Sequence, residues 1–347
     1  MKIGILTHPL VSNYGGILQC YALNTYLQKM GHETIVIDRR PNKDFFVWRW
    51  IRTILKVLHC PRYYMPNKID KTIKVRSFVD RYIKRTKPID TPSKMKKVCQ
   101  QYGLDAVIVG SDQVWRADYA MKFGYNYFLD FVPDDVIKAS YAASFGLSNW
   151  RYDETQSREI KALLSRFKSV SVREDEGVTM LKDHLGIEAQ HLLDPTLLLS
   201  VNDYSSIVAE RQFAEPYVFV YWLGNKSTIQ STIEKYQNDG VRVVDINLRD
   251  IQEQPSIEEW LSYIKYAETV ITDSFHGCVF SIIFNKQFVI HSNDSGGNRR
   301  LISILKQLDL EGMLSDPQME IDYSPVNNVV STLQKSTFVY MNETLSQ

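Results

Sequence analysis

Two doubly wound α/β domains facing one cleft are the fold class this sequence predicts, on three observations. Apolar, strand-like runs alternate with helical stretches along the whole chain. Polar side chains crowd the carboxyl ends of several of those runs. The 347 residues suffice for two cores. The divide is expected between Asn149 and Glu154, giving domains at 1–150 and 151–325. The first domain carries an insert at 39–97, and a closing helix at 326–347 is long enough to cross back onto it.

Lys2 to Thr7 reads as a buried strand, and Asn13-Tyr14-Gly15-Gly16 as the turn opening an amphipathic helix from Ile17 to Met30. Glu33 to Asp38 is the second strand of this βαβ unit. G-x-G-x-x-G is absent, which weighs against a dinucleotide. Phe45 to Leu58 then sets aromatic and aliphatic residues against Arg49, Arg52 and Lys56 at spacings of three and four. With Trp48 and Trp50 at headgroup depth, this reads as a helix lying on an anionic bilayer. The other reading is a helix docked on its own domain, or an interdomain loop. From Arg39 to Lys97 there are 18 Lys and Arg against four acidic residues, in a chain of net charge +1. Such segregation calls for a polyanionic partner or an anionic membrane. Nucleic acid is disfavoured, since no recognition module is visible and the remainder is acidic.

Helices are expected at 70–85 and 93–102, and Leu104 to Val109 is a buried strand ending in Gly110-Ser-Asp-Gln-Val-Trp115. Ser111, Asp112 and Gln113 there are either site residues or a capped strand–helix junction. Strands at 127–131 and 139–144 close the first sheet. In the second half the strand 169–173 ends on Arg173, before Glu174, Asp175 and Glu176 open a helix. Arg173 is an ion-pair partner for these acids or an anion ligand facing the cleft. Further strands fall at 217–223, 241–246, 269–272 and 288–291.

The densest polar cluster follows the strand that ends at Ile271. Thr272, Asp273, Ser274 and His276 precede an apolar helix from Gly277 to Phe284, and a polar loop from Ser292 ends on Arg299 and Arg300. Open α/β sheets bind ligands at such strand ends, with free helix N–H groups offered to an anion. A histidine for proton transfer and arginines for phosphate or carboxylate make a workable active site. A capped turn, with Asp273 or Ser274 as N-cap, accounts for the same residues. The four cysteines form no C-x-x-C pair and read as reduced thiols. No signal peptide and no apolar run of membrane-spanning length is evident, so a cytoplasmic protein, peripheral on the inner face of the plasma membrane, is expected.

Six segments, in order, resemble the polysaccharide pyruvyl transferase family: Asn13-Tyr-Gly-Gly-Ile-Leu-Gln19, Gly110-Ser-Asp-Gln-Val-Trp115, Ser140-Tyr-Ala-Ala-Ser-Phe-Gly146, Ser171-Val-Arg-Glu174, Leu193-Asp-Pro-Thr196 and Thr272-Asp-Ser-Phe-His-Gly277. The resemblance implies a glycosyltransferase-B-like fold of two Rossmann-like domains. It also implies transfer of the enolpyruvyl skeleton of phosphoenolpyruvate onto a sugar, giving a pyruvate ketal and phosphate. The family's histidine falls on His276, as general acid, and its arginine on Arg173, as donor ligand. Where better-studied branches have an arginine two places before the histidine, this chain has Ser274, so Arg299 or Arg300 is the candidate for the missing charge.

On this reading the donor side comprises Arg173, Ser274, Gly277, Asn298, Arg299 and Arg300. The acceptor side comprises Asn13, Tyr14, Gly15, Gly16, Ser111 and Gln113. Asp112 orients or deprotonates the acceptor hydroxyl, and Asp273 holds the His276 imidazolium. No cofactor and no metal is called for, because phosphoenolpyruvate is a substrate. The partners expected are that donor, a sugar or lipid-linked oligosaccharide acceptor, and an anionic membrane surface met by Trp48, Arg49, Trp50 and Arg52. The competing functions are a nucleotide-sugar-dependent glycosyltransferase and a non-catalytic glycan-binding member of the family.

Overall fold

The computed structural model describes residues 1–41, 70–246, 253–290, 298–314 and 319–346, with Asn298 described by its backbone. The expected membrane-surface residues Trp48, Arg49, Trp50 and Arg52, and the loop 292–297, lie outside the described residues.

The first sheet is parallel throughout. β1 (Lys2–Leu6) lies between β2 (Glu33–Val36) and β3 (Ala106–Val109), and β4 (Ile137–Ser140) adds beyond β3. Single bridges, Ala139 to Ser169 and Ala143 to Val172, continue the layer into β5 (Ser171–Val172), which pairs with β6 (Gln190–His191). The second sheet is also parallel, ordered β10 (Gln287–Ile290), β9 (Thr269–Thr272), β7 (Tyr217–Tyr221), β8 (Arg242–Asp245). Near-continuous apolar strands such as Ala106–Val109 and Tyr217–Tyr221 are buried along their length, as helices on both faces require.

The helices begin where side chains satisfy their free N–H groups. Asn13 caps α1 (Tyr14–Lys29) by accepting from the Gly16 N–H at 3.2 Å. The segment 73–82 forms α2, about one turn shorter at each end than expected, its C-terminal end set where Ile83 is extended. Asp153 and Gln156 form a capping box on α3 (Glu154–Leu164), and Asp175 and Glu176 place negative charge in the first turn of α4 (Asp175–Leu185). In the second half come α5 (Gln230–Asn238), α6 (Ile257–Tyr266), α7 (Phe275–Ile283) and α8 (Asn298–Gln307). A 23-residue helix, α9 (Tyr323–Leu345), closes the chain.

The two halves share one core. Tyr14 of α1 stacks on Trp260 of α6 with centroids 5.4 Å apart, and its hydroxyl donates to the Pro255 carbonyl at 2.7 Å. The final helix packs on the end of the first sheet: Tyr340 donates to the Ser140 carbonyl at 2.7 Å, and Thr344 meets Ser169 at 2.6 Å.

Two sequence expectations need correction. The divide near residue 150 places α3, β5, α4 and β6 in the second domain, but Ile160, Leu164, Val172 and Leu181 pack in the core of the first sheet. The second sheet begins only at Tyr217. The stretch 127–131 is not a strand either: Asn126–Phe128 is a 3-10 turn and Leu129 has φ of 56°. Its aromatic residues are core plugs, Phe128 stacking on Trp115 at 5.8 Å.

Candidate functional site

Each sheet reverses its strand order once, between β1 and β3 in the first and between β7 and β9 in the second. Ligand crevices of doubly wound sheets open at these points. In the first sheet, the carboxyl ends present Thr7 and His8 after β1, and Ser111 and Asp112 after β3. Gln19 ties them together, donating to Thr7 Oγ1 at 3.0 Å and accepting from the Ser111 N–H at 2.9 Å. Asp112 is buried with φ of 66°, a conformation uncommon outside glycine that collects at functional sites. Its Oδ1 accepts from the Gln113 N–H at 2.8 Å, so the junction is capped as well.

In the second sheet, the end of β9 presents Asp273, Ser274 and His276. Asp273 Oδ1 and Oδ2 accept the backbone N–H groups of Leu223 and Gly224, each at 2.7 Å, which fastens the loop after β7. Ser274 is the N-cap of α7 and accepts from Gly277 at 3.4 Å. Gly277 packs so closely that a Cβ there would lie 2.3 Å from Thr272 Oγ1.

The first turn of α1 fits between the two sheets. A Cβ on Gly15 would fall 1.9 Å from His276 Nδ1, and one on Gly16 would lie 3.1 Å from Asp112 Oδ2. The paired glycines therefore let one helix end pass between an imidazole of the second domain and a carboxylate of the first. Tyr14, expected on the acceptor side, is instead buried against Trp260 as an interdomain strut. Ser111 is buried too, its Oγ donating to the Ala142 carbonyl at 2.8 Å.

Around this junction lies a buried ion cluster. Arg173, after β5, bonds Glu174 Oε1 through Nε at 3.1 Å and Asp194 Oδ2 through Nη1 at 2.9 Å. Its guanidinium sits over the Phe275 ring, 4.5 Å from the centroid. Arg173 thus pairs with one of the acids that follow it, Glu174, and with Asp194 from beyond β6, while Nη2 is buried with no partner among the described residues. The carboxylate paired with His276 is Asp194, Oδ2 lying 3.7 Å from Nε2, rather than the sequence neighbour Asp273. His276 Nε2 makes no hydrogen bond among the described residues, and neither does the buried Arg300 Nε. Arg299 turns outward to Glu176 at 3.5 Å.

The electrostatics follow from this crowding. Burial by itself would raise the Asp112 carboxyl, yet its pKa is lowered because His8, Arg173, His276 and Arg300 surround it with positive charge. Burial also opposes ionisation of Asp194, but His276, Arg173 and the Thr196 N–H hold it well below the ordinary carboxylate range. Burial, with Arg173 alongside, lowers the Arg300 pKa against the pull of Glu174 and Asp112. Two arginines and a histidine thus meet three carboxylates, Asp112, Glu174 and Asp194, and it is the nitrogens without a protein partner among the described residues, Arg173 Nη2, Arg300 Nε and His276 Nε2, that an anionic ligand could meet.

Of the two loop arginines, Arg300 reaches the cluster and Arg299 does not. Arg300→Ala is therefore expected to weaken binding of a small anion such as inorganic phosphate by tenfold or more, with Arg299→Ala within about twofold, as titration calorimetry on the two variants would show.

Beside the cluster, on the first-domain side, opens a cavity of about 350 Å³. Asn13, Gly16, Asp112 and Gln113, all named from the sequence, line it. So do His8, Tyr119 and Phe123, which sequence reasoning passed over. His8 carries no sequence signal beyond its place after the first apolar run, and Asp194 lies in the Leu193-Asp-Pro-Thr196 motif, which by itself suggests no role for it.

A family model for polysaccharide pyruvyl transferase matches residues 13–295. Among curated proteins none matches this chain. Solved structures of similar fold include the UDP-GlcNAc 2-epimerase of Neisseria meningitidis bound to UDP-GlcNAc, 11% identical with a TM-score of 0.52 over 98% of this chain and 100% of that one. Another is the UDP-GlcNAc 2-epimerase of Methanocaldococcus jannaschii, 12% identical with a TM-score of 0.50 over 96% and 93%. These likenesses establish the fold, two Rossmann-like domains in a glycosyltransferase-B-like arrangement, as the sequence predicted. With four-fifths of its length matched and the motif residues Arg173, Asp194 and His276 meeting in one buried cluster, the chain belongs to the polysaccharide pyruvyl transferase family.

Proposed function

We propose that this transferase moves the enolpyruvyl group of phosphoenolpyruvate onto two hydroxyls of a sugar in a cell-surface polysaccharide or its lipid-linked precursor. The observation that carries the reading is the set of buried nitrogens on Arg173, His276 and Arg300 that have no partner among the described residues, gathered where the two domains meet. Phosphoenolpyruvate is a small, multiply charged anion bearing phosphate and carboxylate, and guanidinium forks suit both groups. Ketal formation needs a proton on the methylene carbon so that the central carbon becomes electrophilic. His276, with Asp194 close enough to stabilise its imidazolium, is placed to deliver that proton. Asp194 thus takes the supporting role first given to Asp273.

The test is incubation with phosphoenolpyruvate and a panel of sugar acceptors, following phosphate release and the ketal methyl signal by NMR. Phosphate release that depends on an acceptor is the expected result. Release of a nucleoside diphosphate from a nucleotide sugar, with phosphoenolpyruvate inert, would favour the glycosyltransferase alternative. Glycan binding without turnover of either donor would favour a non-catalytic member.

A further inference from the structure

The cavity next to Asp112 is separate from the arginine cluster, and its walls differ in kind. Tyr119, 36% exposed, and Phe123 supply aromatic faces, while Asn13, Asp112 and Gln113 supply short polar groups. At about 350 Å³ it falls within the ~300–1,000 Å³ typical of small-molecule sites. A pyranose has the matching character, with an apolar C–H face to lay on an aromatic ring and a rim of hydroxyls to pair.

His8 adds a reactive group to that wall. Its ring packs edge-on to Tyr119 and Tyr127, with centroids 5.7 and 5.2 Å away. Nδ1 lies 3.2 Å from the Tyr127 hydroxyl, which itself donates to the Thr7 carbonyl at 3.5 Å. The role proposed below requires the tautomer in which the tyrosine proton goes to that carbonyl and Nδ1 donates to the phenol oxygen. Nε2 is then left as a bare acceptor, and it is buried with no partner among the described residues. Asp112, the other candidate base, keeps Arg173, His276 and Arg300 around it when His8 is neutral, so it binds a proton weakly and is better suited to stabilising charge.

We propose that this cavity is the pyranose subsite of the acceptor and that His8 Nε2 takes the proton from the attacking hydroxyl. The assignment of the base rests on the pyruvyl-transfer reading above. In the step, His276 gives its proton to the methylene carbon of phosphoenolpyruvate, and the first hydroxyl oxygen bonds to the central carbon as its proton passes to His8. The second hydroxyl then bonds to the same carbon, the carbon–phosphate oxygen bond breaks, and that second proton leaves with phosphate. One proton gained by His8 and one lost by His276 balance through solvent. The two histidines thus flank Asp112, one facing the acceptor and one facing the donor.

The titratable groups facing His8 among the described residues are Asp112, Tyr119, Lys122 and Tyr127. The experiment compares wild type with His8→Gln and Tyr119→Ala. In each, phosphoenolpyruvate binding is measured by calorimetry, turnover across pH with a panel of methyl pyranosides, and pyranoside binding by saturation-transfer NMR. His8→Gln is expected to keep donor affinity within about twofold, lose about 100-fold in kcat, and lose the acid limb of the rate profile. Tyr119→Ala is expected to raise the acceptor KM at least tenfold and to abolish the saturation-transfer signal. Retention of the acid limb with a rate within threefold of wild type would overturn the role of His8. If wild type itself neither binds nor turns over phosphoenolpyruvate, the donor reading fails and the His8 base with it. The subsite is then decided by the NMR arm alone, an unchanged signal in Tyr119→Ala overturning it and a lost signal upholding it.

Discussion

Replacing His276 by glutamine is expected to lower kcat by about 10²–10⁴-fold while leaving phosphoenolpyruvate affinity within a few fold. Glutamine keeps a polar side chain near Asp194 but has no titrating proton to give. The surroundings explain why no neighbour should rescue the step. Ser274 is committed to capping α7, and Asp273 to the N–H groups of Leu223 and Gly224. Asp194 stays ionised far below neutral pH, so it cannot act as an acid in its place. Steady-state kinetics in D₂O supply a second readout, since wild type should place one solvent deuterium in the ketal methyl group. Turnover of His276→Gln within threefold of wild type would remove this residue as the acid. The packing of Gly15 against the ring makes a related point. A methyl group 1.9 Å from Nδ1 must displace the imidazole or the helix, so Gly15→Ala should depress kcat without touching any hydrogen-bonding group of the site.

Which parts of this were legible in the sequence depends on how contacts are made. Ala106–Val109 and Thr269–Thr272 were readable as strands because a parallel strand covered on both faces leaves an unbroken apolar run. β5 was readable as the strand 169–173, but not its place beside β4, which rests on single bridges, and so the first sheet looked shorter than it is. His276 and Arg173 stood out by residue type at strand ends. Asp194 did not, because its meeting with both is set by sheet order and not by spacing in the chain. Asp273 was the natural guess for a partner of His276, three positions away, yet on the rising turn into α7 its carboxylate reaches the neighbouring loop instead. His8 was hidden for the same reason. Its significance is the partnership with Tyr127, which arises only when the 3-10 turn at Asn126–Phe128 folds under the first sheet.

Arg173→Met is expected to have the largest combined effect, on stability and on donor binding. Arg173 and Asp194 are essentially fully buried, with side-chain exposures of 1% and 0%. Removing one partner of such a pair leaves the other charge uncompensated, at a cost of about 3–5 kcal/mol. The pH dependence carries the diagnostic. In wild type the Asp194 pKa is depressed, so its contribution to stability is complete above the ordinary carboxylate range and fades as pH falls toward its folded value. Without the guanidinium, burial dominates and the Asp194 pKa rises. The variant's deficit is then greatest at neutral pH and shrinks on acidification, as Asp194 takes up a proton in the folded state. Denaturant unfolding at pH 7 and again near pH 4 should show the gap between wild type and Arg173→Met narrowing. A constant gap would mean that the loss comes from packing over Phe275 and not from charge. Arg173→Lys separates structure from binding. A lysine can neutralise Asp194 but cannot bond Glu174 and Asp194 at once and still present a third nitrogen to a ligand. It should recover much of the stability and little of the phosphoenolpyruvate affinity, because the fork, with two arms on carboxylates and Nη2 left over, is the feature the donor would use.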